Sequence, residues 1–330
     1  MHDVRNRQQP LLAVAARSQQ SGADFPPAHC GRGDRRTLRQ PGRLPYFAAA
    51  FLWAVAAGLA ETAGKGSAAA QDLAAIKARE ASLIVREGGA EEWKMLGTEY
   101  EALVKKHPND ATIRDARAGY LWGMNDREGA LREWLAAEKI DPKNAAVLNH
   151  LAGTYLAMGE PRESLGFFLR ASEAEPGNAA THFSAANVAC MFRHDVGRTE
   201  EECFTLALRH YAEAHRLAPK NPEFTRGYAE TFYMVGNPDW QTAVRVWRDY
   251  LDLMPEKNFA LLNLARVHIA LGESEKARAC LAQVTGAEHD RLKNRLAARI
   301  ETGLSPAKPP ESPKTENSPK PGIDEAPQPP

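Results

Sequence analysis

Residues 145–178 read AAVLNHLAGTYLAMGEPRESLGFFLRASEAEPGN, and the block before them, 111–144, reads ATIRDARAGYLWGMNDREGALREWLAAEKIDPKN. The two share one skeleton. Counting back from Pro142, Ala137 lies five residues away, Trp134 eight, Ala130 twelve and Ala118 twenty-four; from Pro176 the same offsets give Ala171, Phe168, Ser164 and Ala152. Prolines recur at Pro108, Pro142, Pro176, Pro219 and Pro255, separated by 34, 34, 43 and 36 residues. A period of this size marks one supersecondary unit stacked on copies of itself. Each block predicts two helices joined by a short turn, with Gly159, Gly236 and Gly272 at turns. Small residues stand where paired helices approach most closely, the aromatic fills the groove beside them, and the proline ends the second helix. One helix pair buries too little apolar surface to hold together alone, so the copies must stack.

These residues resemble the tetratricopeptide repeat, whose signature is a W-x2-L-G-x2-Y run followed by A-x3-F, A and P. The best copy is 145–178, with Leu148, Leu151, Ala152, Tyr155, Ser164, Phe168, Ala171 and Pro176. Four more follow the pattern less fully. Copy 111–144 carries Arg114 and Arg117 at normally apolar positions, and copy 179–221 inserts nine residues. Copy 222–257 places Tyr250 where a small residue is usual, and copy 258–287 places His268 where Tyr is usual. The resemblance implies an all-α fold, a right-handed superhelical α-solenoid of stacked helix-turn-helix repeats.

Outward from the repeats, 71–110 reads as a degenerate N-terminal helix pair. Leu73, Ile76, Leu83 and Ile84 lie on its first helix, and Trp93, Leu96, Tyr100 and Leu103 form a stripe on its second. An amphipathic capping helix is expected over 288–303, with Leu292, Leu296 and Ile300 on one side. Residues 304–330 are a different material: nine of the 27 are proline and almost none is apolar, so the segment cannot bury enough surface to fold. We read it as a solvated tail, with a polyproline segment for a partner as the rival. Residues 1–43, Arg-rich and broken by Gly and Pro, read as a disordered leader or as sequence upstream of the true translation start. Between them and the domain lies a 17-residue charge-free apolar run, 44–60, preceded by Arg39 and Arg43 and followed by small residues ending Ser67-Ala68-Ala69-Ala70. That order, within 44–70, is a secretory signal peptide with cleavage after Ala70, and it predicts export to a periplasmic or extracellular compartment. The alternative is a membrane anchor at 44–60, since 17 residues is near the lower limit for spanning.

The chain has 42 basic and 42 acidic residues, which removes any argument for a global nucleic-acid or anionic-membrane field. It contains no P-loop, dinucleotide-binding, nucleophile-elbow or zincin motif, so no enzyme activity and no cofactor are expected. Cys190 and Cys203 bracket the insertion in copy 179–221. In an exported chain a disulfide between them clamps the loop; the alternative is two independent thiols. Cys190, His194, Cys203 and His210 match no compact zinc spacing, and no metal is expected. His150, His182, His215 and His268 have no catalytic partner at a telling offset, and Trp134, Phe168, Tyr211 and Trp247 occupy equivalent positions, which makes them core.

The resemblance implies that the first helices line a concave groove, with positions 2, 5, 9, 12 and 13 of each copy facing it. On this sequence that set yields Trp122, Asn149, Phe183, Asn187, Arg226, Glu230, Tyr233 and Arg266 as partner contacts, with Asp115, Gly119, Leu156, Met191, Phe259 and Leu262 beside them. Aromatics supply anchor area, and Asn and Arg supply hydrogen bonds to a peptide. The family's carboxylate clamp needs Lys at position 5 with Asn at position 9; here Asn187 is present but Phe183 replaces the Lys. The expectation is a non-catalytic scaffold binding a protein or peptide in the groove. The rivals are an accessory subunit that positions an enzyme or a polysaccharide-export or secretion complex in the envelope, and a self-assembling structural protein.

Overall fold

Two residues after each closing proline comes a residue that starts the next helix. Asp110, Asn144, Asn178 and Asn221 each accept a hydrogen bond from the first-turn backbone of the helix that follows, at 2.9 to 3.2 Å for the best bond. The side-chain oxygen replaces a partner that the first backbone N–H groups lack. Proline to stop, then an Asx cap to restart, sets the unit length. The fifth copy departs from the rule, since Lys257 makes no side-chain cap and Glu256 instead accepts from the Asn258 N–H at 2.9 Å.

A computed structural model describes residues 67–302, all within the unit Tyr46–Pro330. Expectations for the leader, the run at 44–60 and the tail lie outside those residues. Among the described residues there are thirteen α-helices and no strand. They are α1 (Ala68–Val85), α2 (Ala90–Lys106), α3 (Ala111–Gly123), α4 (Arg127–Ile140), α5 (Ala145–Met158), α6 (Pro161–Ala174), α7 (Ala179–Met191), α8 (Glu200–Leu217), α9 (Pro222–Thr231), α10 (Trp240–Leu253), α11 (Asn258–Ala270), α12 (Ser274–Ala282) and α13 (Asp290–Thr302). Each helix packs on its neighbours in sequence, and α13 packs on both α11 and α12.

The small positions are the tightest points of the stack. Ala118, Ala130, Ala137, Ala152, Ser164, Ala171, Ala186, Ala207, Ala229, Ala243 and Ala265 are all 0 % exposed. Trp134, Phe168, Tyr211 and Trp247 are buried beside them, so this aromatic series is core. At the α5–α6 turn Gly159 takes φ 82°, a left-handed cap that favours glycine, and one period earlier Asn125 holds the same conformation at φ 63°.

The departures from the repeat pattern have local compensations. Arg114 and Arg117 converge on Glu133, at 2.9 and 2.5 Å, so two arginines at apolar positions share one carboxylate from α4. Tyr250 sits edge-on to Trp247 at 5.7 Å, and His268 bonds Glu273 across its turn at 2.6 Å. In copy 179–221 the extra residues go into an eight-residue loop, 192–199, and an 18-residue α8 where α6 has 14. The loop is closed by a capping box between Thr199 and Glu202 and by Arg193, which pairs with Glu200 and lies 5.7 Å over the Phe204 ring.

The Cys190–Cys203 disulfide does not form in this structure. Both residues are buried thiols, and Cys203 Sγ donates to the Arg193 carbonyl at 3.7 Å. Burial pushes the Cys203 thiol pKa up, which favours S–H over thiolate. The bonds of Arg193 and Thr199 close the loop without a covalent clamp.

At the N-terminal end α1 begins at Ala68, capped by Ser67 Oγ on the Ala70 N–H at 3.3 Å. Leu73, Ile76 and Leu83 are buried there with Tyr100 and Tyr120, whereas Ile84, expected on the same stripe, is 55 % exposed. At the other end the cap is a 3-10 turn, Ala287–His289, followed by α13, whose Leu296 and Ile300 bury against Leu261, Ala265 and Leu281.

Candidate functional site: the first-helix wall

The first helices of consecutive repeats, α3, α5, α7, α9 and α11, meet side by side. Asp115 of α3 accepts from the ring nitrogen Nδ1 of His150 on α5, at 2.6 Å, and from Trp134 Nε1 at 2.8 Å. Thr181 of α7 donates to Asn149 Oδ1 of α5 at 3.0 Å. The Phe183 ring of α7 lies 4.7 Å from the Phe224 ring of α9. Arg226 of α9 covers the Phe259 ring of α11 at 4.8 Å. These bridges make one continuous wall, and the candidate contacts are distributed along it.

Seven of the eight candidates, Trp122, Asn149, Phe183, Asn187, Arg226, Glu230 and Tyr233, are half-buried, and Arg266 is exposed. They are held rather than loose. The Trp122 ring packs 5.9 Å from Trp134, and the Arg127 guanidinium lies 5.3 Å over the Trp122 ring. Asn187 Oδ1 accepts from the Tyr211 hydroxyl at 2.6 Å, so its carbonyl serves the fold. Arg226 pairs with Glu230 one turn on, at 2.8 Å. Tyr233, just beyond α9, donates to the Asn263 carbonyl at 3.0 Å; burial raises its pKa and keeps it a donor. Arg266 stacks 4.0 Å over the Tyr233 ring and donates to Asn263 Oδ1 at 2.8 Å. Of the residues expected beside them, Leu262 is 4 % exposed and belongs to the core between α11 and α13.

The repeat arithmetic missed the side chains that close the C-terminal end of the wall. A small cavity of about 50 Å³ lies there, lined by Tyr233, Trp240, Arg266, Ile269, Ala270 and Arg299. Trp240 opens α10, the second helix of its copy, and Arg299 is on α13, outside the repeats, so groove positions counted along first helices could reach neither. The cavity is far below the usual volume of a cofactor site. Among the described residues no group of three or more His, Cys, Asp or Glu could hold a metal.

No protein-family model matches this sequence, and no curated protein sequence matches it. Solved structures do match. The chain is similar to a chain of the structure of Naa15/Naa10 bound to HypK-THB, with a TM-score of 0.52 and 15% identity over 72% of this chain and 34% of that one. YrrB, described as a TPR protein with an unusual peptide-binding site, matches over 62% of this chain and 97% of its own at 17% identity and a TM-score of 0.48. PilF of Pseudomonas aeruginosa matches over 72% and 100% at 14% identity and 0.45. The protein is an all-α solenoid of stacked helix pairs. Its repeats resemble tetratricopeptide repeats, and at identities of 17% or less these similarities bear on the fold alone.

Proposed function

We propose that this protein is a non-catalytic scaffold whose first-helix wall binds an extended peptide or a helix of a partner protein. The observation that carries this reading is the run of half-exposed aromatic and cationic side chains fixed in place along one face. Phe183 is held against Phe224, Phe259 lies under Arg226, and Tyr233 lies under Arg266. Side chains already fixed lose little further rotamer freedom on binding, and aromatic and arginine residues dominate binding hot spots. The reading agrees with the peptide-binding site attributed to YrrB.

The test is peptide selection by phage display on the folded chain, followed by fluorescence anisotropy of the selected peptides. Phe183→Ala removes anchor area, and Arg266→Ala removes a cation together with its bond to Asn263 Oδ1. Loss of binding in both variants, with unchanged thermal melts, supports the wall. Selected peptides that bind both variants as tightly as wild type refute it.

We also place this activity outside the cytoplasm, on the basic flank, apolar run and small-residue segment of 39–70. Cleavage after Ala70 would cut within the first turn of α1 and remove its Ser67 cap, a loss of about 1 kcal/mol to a terminal helix. Mass spectrometry of the mature N-terminus decides it: a start at Gln71 supports cleavage, and an intact segment 44–60 supports an anchor instead.

A further inference from the structure

Among the described residues, the half-buried arginines follow a rule with one exception. Arg114 and Arg117 pair with Glu133, Arg170 with Glu138, Arg193 with Glu200 and Arg226 with Glu230. A guanidinium partly removed from water gains a carboxylate in return. Arg299 is equally half-buried, yet it has no ion pair or hydrogen bond within the described residues. It lines the same cavity as Arg266, whose own hydrogen bond goes to a neutral amide and leaves its charge uncompensated by any carboxylate. Glu230, the acid of α9 nearest this end, is taken up by Arg226.

The remaining lining is apolar or aromatic. Ile269 and Ala270 form one side, and the Tyr233 and Trp240 rings, 5.6 Å apart, form the other. The stacking of Arg266 on Tyr233 and its bond to Asn263 fix that guanidinium before anything arrives. Two cations from different helices, α11 and α13, thus meet over an apolar floor in a cavity with room for one small group.

We propose that this cavity receives an acidic side chain of the bound partner peptide, its carboxylate held between Arg266 and Arg299 and an adjacent apolar residue packed on Ile269 and Trp240. This rests on the wall being a peptide-binding face and adds its specificity: an acidic peptide, anchored at the C-terminal end of the stack. The capping helix, by contributing Arg299, is then part of the recognition surface as well as a lid on the last repeat.

The test uses the full chain and two fluorescein-labelled, acetylated and amidated peptide pools, identical except for Leu-Glu-Leu or Leu-Gln-Leu at the centre. Wild type should bind the Glu pool about tenfold more tightly, the size expected of a charge-assisted pair. In Arg299→Gln and in Arg266→Gln that preference should collapse toward one while the thermal melt holds. Equal binding of the two pools by wild type, or a preference that survives in Arg299→Gln, overturns the carboxylate site. If phage-selected neutral peptides still bind, the wall stands without it; if no peptide of any kind binds, the scaffold reading falls as well. A non-amidated Gln pool that binds as well as the amidated Glu pool would assign the cavity to a chain terminus and overturn the side-chain proposal. So would tighter pool binding by Asp324→Asn/Glu325→Gln, which would make the chain's own acidic tail the occupant.

Discussion

Acid should loosen the middle of the stack through one side chain, His210. It is 5 % exposed, on α8, with its Nδ1 3.0 Å from Nδ1 of His182 on α7. The hydrogen-bond network assigns the protons. The Pro176 carbonyl only accepts, so His182 Nε2, 3.1 Å away, donates to it, and the His182 Nδ1 lone pair accepts from His210 Nδ1–H. That leaves His210 Nε2 buried without a partner, and a second proton there would have no acceptor. Burial, then the His182 ring and Arg209, lower the His210 pKa from 6.5 to about 4, against a weaker opposing pull from Glu213. A base whose folded-state pKa is depressed contributes stability that is full above pH 6.5 and falls away as pH drops toward 4. The shift corresponds to about 3 kcal/mol in total, of which about 2 kcal/mol is lost by pH 5. Urea denaturation followed by circular dichroism at pH 7.5 and 5.0 measures it. His210→Gln keeps a donor for His182 but does not titrate, so wild type should lose about 2 kcal/mol more than the variant between the two conditions. Equal losses would refute the account, because the remaining ionisable groups are common to both proteins.

Two further substitutions test the packing. Ser164 occupies a small position that is alanine in most other copies; it is 0 % exposed and its Oγ has no hydrogen-bond partner, so Ser164→Ala should raise stability by about 1 kcal/mol in urea melts. A destabilised Ser164→Ala would mean that the hydroxyl is satisfied. At Gly227 a Cβ would lie 2.7 Å from Cε1 of buried Tyr211, so Gly227→Ala sets a clash of 1–3 kcal/mol against a gain in helix propensity of about 1 kcal/mol and should be net destabilising. Gly119→Ala, with nothing within 4 Å of its Cβ, should show the propensity gain alone, and a Gly227→Ala that behaves like it would show that Tyr211 yields.

How far the sequence reaches depends on whether a feature repeats. The offsets from Pro142 and Pro176 recover the buried alanines and the core aromatics because stacking imposes the same contact in each copy. First-helix positions can be carried from copy to copy for the same reason, since the spacing of the closing prolines fixes the equivalent of each position in the next copy. The Asx caps two residues after Pro108, Pro142, Pro176 and Pro219 were equally available in the sequence, and no reading of helix periodicity alone draws attention to them. Features used once leave no such trace. Glu133 collecting Arg114 and Arg117 depends on a contact across 16 to 19 residues in one copy only. His182 and His210 meet across 28 residues from positions that other copies fill differently. The sequence leaves Cys190 and Cys203 open between a disulfide and two thiols; in this structure both are buried, and the bonds of Arg193 and Thr199 close the loop.

The polar groups on the wall divide into those the fold uses and those it leaves over, and this division is what gives the surface a direction. Toward the N-terminal end Asp115, Asn149 and Asn187 have their acceptors satisfied by Trp134, Thr181 and Tyr211, so that stretch offers mainly aromatic area. In the middle Arg226 is neutralised by Glu230 and presents its guanidinium as a flat cover on Phe259. At the C-terminal end two cations, Arg266 and Arg299, stand together without carboxylates, beside Tyr233 and Trp240, whereas the uncompensated Arg127 at the other end stands alone over Trp122. On the proposed reading, a ligand sliding along such a face would meet mainly apolar contact until its charge reached Arg266 and Arg299, and the register of binding would then be set at one end. Electrostatic complementarity concentrated at a single point fixes register and on-rate more than total affinity. The aromatic residues of the repeats would therefore govern how tightly a peptide is held, and the capping helix would govern which peptide and in which frame.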